Sequence, residues 1–414
     1  MPQPGADVPA VAVVRSVGTG LLAARSAPAG AIVLGSDYRA LGVVRSLGRH
    51  GIPVCVVASG DDRLAAFSRY ARDCCEWPDE TEERLSLLDE LAQAEEQRWA
   101  LIPSADESAA FVARHHARLA ERLVLTTPPW PVFEWAYDKR RTHDLAREAH
   151  VDYPWTMYPS DRAELEAAEL RFPLILKPAL KPELNRFTAA KAWRCDGLET
   201  LLARYDEARR LIDPELLMVQ QLVSGGGGAQ LSFAALADCG VVRHALTARR
   251  TRQYPPDFGR ASTFVETVDA PEIEEPSRRL IEASGFTGLL EIEYKVDGDG
   301  RPLLLDMNAR IWGWQSLCGR AGVDFPWLLW LELQGATRAP VRARTGVRWI
   351  RLSTDVPTSL KELGAGRMPA RAYLRSLLPP HEGAVFARDD PWPGVLELPL
   401  LLRTLARRLS ARGA

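Results

Sequence analysis

From residue 31 onward, short apolar runs alternate with amphipathic stretches. Ile32 to Leu34 is an apolar run closed by Gly35 and Ser36, which predicts a short buried strand. Leu41, Val44 and Leu47 then recur at the spacing of one helical face, and Gly51 ends that helix. Val54 to Val57 is a second apolar run. Strand, helix and strand in this order form a βαβ unit, which predicts a parallel sheet covered by helices. Ala100 to Pro103 adds a strand that leads into SADES and another helix. Residues 31 to about 128 are therefore expected to be a small α/β domain.

Three prolines in TTPPWP, residues 126–131, mark a linker. Beyond it, YDKRRTHDLAREAH reads as a helix, 171–177 as a strand, 197–212 as a helix and 216–223 as a strand. Residues 229–252 predict two strands around the turn Asp238–Cys239–Gly240, followed by a helix over 271–284 and a hairpin over 287–310. The remainder mixes helix with a strand near Val347 to Leu352. Two glycine-bearing turns carry little chemistry. GSDYRA lacks the GxGxxG dinucleotide pattern, and GGGG at 225–228 is not followed by GK[ST].

The hairpin carries the most chemistry. In GLLEIEYKVDGDGRPLLLDMNAR the period of two puts Glu291, Glu293 and Lys295 on one face of the first strand. Asp306, Asn308 and Arg310 share a face of the second, with Leu303, Leu305 and Met307 opposed to them. A turn at Gly298–Asp299 would set Glu291 opposite Asp306 and Glu293 opposite Leu304. Three carboxylates and an amide oxygen then share one patch. Like charges facing each other favour a cation between them, and hard oxygen donors in this number suit magnesium. A solvated polar sheet face is the plainer alternative.

Composition narrows the function. Hydrophobic residues make up 46% of 414 and the net charge is -2, so nucleic acid is not an expected partner. Six scattered cysteines without zinc spacing read as reduced thiols of a cytoplasmic protein. No apolar run is long enough to span a bilayer, and residues 1–30 read as a loose N-terminal extension rather than a signal peptide. The leucines and arginines of 396–412 form a basic amphipathic helix, expected to pack on the body or on another subunit rather than on a membrane. Of 52 basic residues only six are lysines, so each retained lysine gains some weight as a compact ammonium. Lys177 ends an apolar strand in PLILKPA, and Lys139 opens a helix in YDKRRTH. In RQYPPDFG, Arg252 could clamp a carboxylate bidentately, the alternative being a structural turn.

The order Lys139, Lys177, VQQLVSGG, RQYPPDFG and EIEYK with LLLDMNAR resembles the ATP-grasp superfamily, in particular its uncharacterised carboxylate–amine ligase branch. The resemblance spans roughly residues 30–340 and implies a Rossmann-like N-terminal domain followed by an ATP-grasp fold, two α+β subdomains gripping ATP. It divides the chain at about 31–128, 129–340, with a lid at 151–220, and 341–414. It further implies that Lys139 and Lys177 hold ATP phosphates and that Gln220, Gln221 and Val223 belong to the adenine hinge. Gln230 stands where many members carry a ribose-contacting Glu. Glu293, Asp306 and Asn308 would be ligands of one or two magnesium ions, with manganese able to substitute, and Arg310 would sit at the transferring phosphoryl group. The implied reaction joins a small-molecule carboxylate to an amine through an acyl phosphate, and a homodimer is compatible with it.

The chain departs from the family pattern at three places. Asp306 replaces the usual Glu, Gln230 replaces Glu, and the loop after Lys177 is not Gly-rich, so Lys181, Asn185 and Arg186 could stand in for backbone amides there. A degenerate ATP-binding scaffold and an ATP-grasp-type kinase are the rival readings.

Overall fold

The computed structural model describes residues 27–410 except 60–62, 95–96, 181–184, 256–258, 260 and 379–380. Most of the expected N-terminal extension, Lys181 and the middle of RQYPPDFG fall outside the described residues. The expected mix of α/β and α+β architecture is present, carried by three sheets.

The first sheet is parallel. It holds β1 (Gly30–Leu34), β2 (Val54–Ala58), β3 (Asp73–Glu76), β4 (Trp99–Pro103) and β5 (Val124–Leu125), in the order β3-β2-β1-β4-β5. The order reverses between β1 and β4, so a crevice opens at the carboxyl ends of these two strands. The loop after β1 holds Gly35 at φ +123, where a Cβ would lie 2.1 Å from the Ser104 hydroxyl of the β4 loop. Only glycine allows that approach. Asp37 then caps the helix Tyr38–Arg49 by accepting from the Arg39 and Ala40 amides.

The second sheet is antiparallel, with β6 (Thr156–Met157), β7 (Leu174–Pro178), β8 (Trp193–Cys195) and β9 (Leu217–Gln221) in the order β6-β9-β7-β8. Strand alternation sends Leu174, Leu176, Leu217 and Val219 into a private core with Phe187, Leu201 and Tyr205. Ile175, Lys177, Met218 and Gln220 are left for the opposite face.

The third sheet contains β10 (Gln230–Asp238), β11 (Val241–Tyr254), β12 (Ala261–Thr267), β13 (Gly288–Val296), β14 (Pro302–Asn308), β15 (Arg348–Ile350) and β16 (His381–Gly383). Their order is β14-β13-β10-β11-β12-β15-β16. Residues after 340, expected as an extension, thus contribute two strands to the large sheet. Phe233, Ile292 and Tyr294 on one face pack against Leu145 and against Ile281 of the helix Pro271–Ser284. Ala234, Leu236 and Ala248 on the other face join one continuous core with the helix Tyr38–Arg49 and with Leu329 of the helix Phe325–Leu333.

The C-terminal segment is tied back by buried ion pairs. Arg45 donates from Nε to Asp390 at 2.9 Å, and Asp390 also accepts from the Ser68 hydroxyl and the Arg69 amide. The final helix, Trp392–Ser410, packs through Pro393 and Leu400, but Leu398, Leu401 and Leu402 are exposed. Its inner edge thus packs on the body, one of the two placements expected for it.

Candidate active site

Strand pairing assembles the site on one face of β10, β13 and β14. Glu293 lies directly opposite Asp306, and Glu291 opposite Asn308. The expected register is thus corrected by two residues. The turn is not Gly298–Asp299 alone. The Asp297 carboxylate accepts from the Asp299 and Arg301 amides and closes a longer loop. A bulge at Leu305 then breaks the alternation, so Leu304, rather than Leu303 or Leu305, shares a packed cluster with Met307. The corrected pairing brings Glu293 and Asp306 closer than the sequence suggests.

Glu293 is the hub. It accepts from Gln230 Nε2 at 2.7 Å, from Arg250 Nη2 at 2.7 Å and from Asn308 Nδ2 at 3.1 Å. Glu291 accepts from Trp314 Nε1 at 2.8 Å. Asp306 accepts from Lys139 Nζ at 2.7 Å. Arg310 donates from Nε to Asp106, on the helix that follows β4, at 2.9 Å and reaches Asn308 Oδ1 at 3.2 Å. The parallel domain therefore meets the acidic hairpin through Arg310.

Burial makes these charges consequential, since Glu291, Glu293 and Asn308 are each less than a tenth exposed. Burial and the neighbouring Glu293 push the Glu291 carboxyl up to about 7. Burial acts upward on Glu293 too, but Arg250 and Lys191 outweigh it and hold this carboxyl below its ordinary value. Lys177, on the face of β7 away from its private core, lies within electrostatic reach of Lys139, Asp306 and Glu293. Burial and repulsion from Lys139 bring its ammonium down to about 7. The two lysines are mechanically joined, because the Lys139 amide donates to the Ala179 carbonyl just past β7 at 3.2 Å.

Gln230, Arg252, Asn185 and Arg186 are already engaged by other groups of the protein. Gln230, placed at the ribose, spends its amide on Glu293. Gln220 is buried with its amide on Thr156 Oγ1, while Gln221 is exposed and Val223 is buried. Arg252, expected to clamp a substrate carboxylate, already holds both oxygens of fully buried Asp355, at 2.8 and 2.9 Å. It fastens β11 to the C-terminal helices and is not available at the acid cluster. Asn185 caps a short helix and Arg186 pairs with Glu207, so neither replaces backbone amides in a phosphate loop. The sequence reading missed Arg250, Trp314, Asp106 and Lys191. Counting back across β10 and β11 from the turn would put Arg249 opposite Gln230; a bulge between Leu236 and Ala237 shifts the register by one and sets Arg250 there instead.

The donor chemistry fits magnesium with nucleotide phosphates. Among the described residues no three His, Cys, Asp or Glu side chains converge as a preformed metal cage. Glu293, Asp306 and the Asn308 amide oxygen nevertheless offer hard oxygen donors on adjacent strands. Magnesium is commonly held by one or two carboxylates plus phosphate oxygens.

This is the fold of the ATP-grasp superfamily. Residues 218–354 match a family model described as "ATP-grasp in the biosynthetic pathway with Ter operon", a stretch that includes Glu291, Glu293, Asp306, Asn308 and Arg310. The fold is similar to that of an L-amino acid ligase from Bacillus licheniformis (TM-score 0.58, 17% identity, 76% of this chain and 78% of that one). It is also similar to biotin carboxylase from Campylobacter jejuni in complex with βγ-ATP (TM-score 0.59, 16% identity, 77% and 74%). Phosphoribosylamine–glycine ligase from Thermotoga maritima gives a TM-score of 0.56 at 17% identity over 76% and 78%. No curated protein matches the sequence.

Proposed function

We propose that the chain is an ATP- and magnesium-dependent ligase that activates a carboxylate as an acyl phosphate for attack by an amine. The observation that carries this reading is the ion pair of Lys139 with Asp306 in the Glu293, Asp306 and Asn308 patch, with Lys177 within electrostatic reach of the same acids. Phosphoryl transfer needs positioning and charge neutralisation more than covalent chemistry by the protein. Lys139 and Lys177 would hold phosphates, and the segment Gln220 to Val223 would bear the adenine. Glu293, Asp306 and Asn308 would hold magnesium, which would neutralise charge on the transferring phosphoryl group. Gln230 would then orient Glu293 rather than bind ribose.

A substrate carboxylate oxygen attacks the γ-phosphorus, and the bond to ADP breaks. The amine nitrogen then attacks the acyl carbon, phosphate leaves with the acyl-oxygen bond electrons, and the nitrogen loses a proton. Arg310, steered by Asp106, is the residue suited to bind the acyl phosphate. Two of the similar structures are ligases, which supports this class, and a homodimer belongs to the same proposal.

Trapping decides the matter. The protein is incubated with magnesium–ATP, a panel of carboxylic acids and hydroxylamine. Acid-dependent ADP release with hydroxamate formation is expected. A stable phosphoester without hydroxamate would make the protein a kinase, and nucleotide binding without turnover would make it a scaffold.

A further inference from the structure

Eleven of the 17 large apolar side chains left exposed among the described residues lie between Leu352 and Leu402, so the exposure is regional. The helix Leu352–Gly364 turns Leu352, Val356 and Leu360 outward at four-residue spacing, while Asp355 and Ser359 on its other side are buried. On the final helix, Trp392, Val395, Leu398 and Leu402 make a second outward stripe, and Leu398 is 64% exposed. The repeat continues in the sequence with Leu405 and Leu409.

Charge gives this face a partner. From Leu398 onward the only charged residues are Arg403, Arg407, Arg408 and Arg412. Of these, Arg403 is exposed next to Leu402 at the described end of the stripe. Arg371 and Arg375 of the helix Ala370–Ser376 are exposed in the same region. We propose that the C-terminal helices dock on an anionic membrane surface, the final helix lying in the plane of the interface. An exposed apolar stripe with exposed Arg403, Arg371 and Arg375 in its region suits acyl chains below anionic headgroups. A second copy laid on the same stripe would bring like arginines together. The mode is peripheral, because no described helix is long and apolar enough to cross a membrane. This assignment does not depend on the ligase reading.

The full-length protein is floated with phosphatidylcholine vesicles, with and without phosphatidylglycerol. Binding is expected only with the anionic lipid and falls with added salt. The double variants Leu398→Glu/Leu402→Glu and Arg403→Glu/Arg407→Glu should each weaken it at least about tenfold, with the unfolding temperature kept. Absence of wild-type binding, or equal binding to neutral vesicles, overturns the proposal. So does a leucine variant that turns a dimer into a monomer while vesicle binding is unchanged.

Discussion

Replacing Lys177 by Met keeps an unbranched apolar stem, one atom shorter, and removes the ammonium. In the nucleotide-free molecule, burial and Lys139 hold this group down to about 7, with Asp306 acting in the opposite sense. The sign follows directly. The group is charged below pH 7 and loses its proton as pH rises through that value, long before an ordinary lysine does. Phosphates placed against it stabilise the charged form and draw a proton back. Binding of ATP should then take up about 0.9 proton at pH 8 and about 0.1 at pH 6, from a site that titrates at about 7. The same linkage makes the apparent Kd about tenfold larger at pH 8 than at pH 6. Calorimetry in two buffers of different ionisation enthalpy counts the protons. The γ-phosphate of ATP titrates in the same range, and Lys177→Met reports that background, so the difference between the two proteins is the measured quantity. At pH 6 the variant also loses a charge-assisted hydrogen bond, about 1.5–3 kcal/mol, or roughly 10- to 150-fold in Kd. Equal proton uptake by wild type and Lys177→Met at pH 8 would refute the placement of Lys177 at the phosphates.

Other outcomes follow from the same geometry. Asp306→Asn keeps the shape of the side chain but removes the charge that faces Lys139, so turnover should fall at least about a hundredfold, read by phosphate release against magnesium concentration. Gln230→Glu sets a carboxylate where an amide now donates to Glu293; it should weaken nucleotide binding at low magnesium, and binding unchanged over a magnesium titration would count against Glu293 as a ligand. Arg252→Ala strands the buried Asp355 carboxylate and should cost about 3–5 kcal/mol in denaturant unfolding, while turnover per folded molecule survives. Asp390→Ala should destabilise by a similar amount, because Arg45 loses its buried partner.

The parts of this molecule with local periodicity were legible in the sequence. The β1–helix–β2 unit, the helix Pro271–Ser284 and the acidic face of β13 each announce themselves in the spacing of apolar residues. Register was harder to read, because it hangs on one turn. The Asx-closed loop at Asp297 and the bulge at Leu305 shifted the pairing without changing which acids share the face. Arg252 was misread for another reason. Its partner, Asp355, lies 103 residues further on, and nothing near Arg252 marks that pairing. The parallel pairing of β15 with β16 is equally silent, since both strands are three residues long and a helical region separates them. Gln230 looks like a weakened family residue from the sequence, whereas in space it is the amide that holds Glu293 in place.

Lys139 on Asp306 and Arg250 on Glu293 mean that the carboxylates meet incoming ligands with their counter-ions already in place. Bare magnesium would have to evict an ammonium and strand it in a cleft with no anion to receive it. On the proposed reading a nucleotide would supply that anion, so Lys139 could pass from carboxylate to phosphate and leave Asp306 free to hold metal. Binding would then be an exchange of partners, with metal and nucleotide favouring each other. The resting protein should accordingly be nearly indifferent to magnesium alone, and should not hold a stray divalent ion between turnovers.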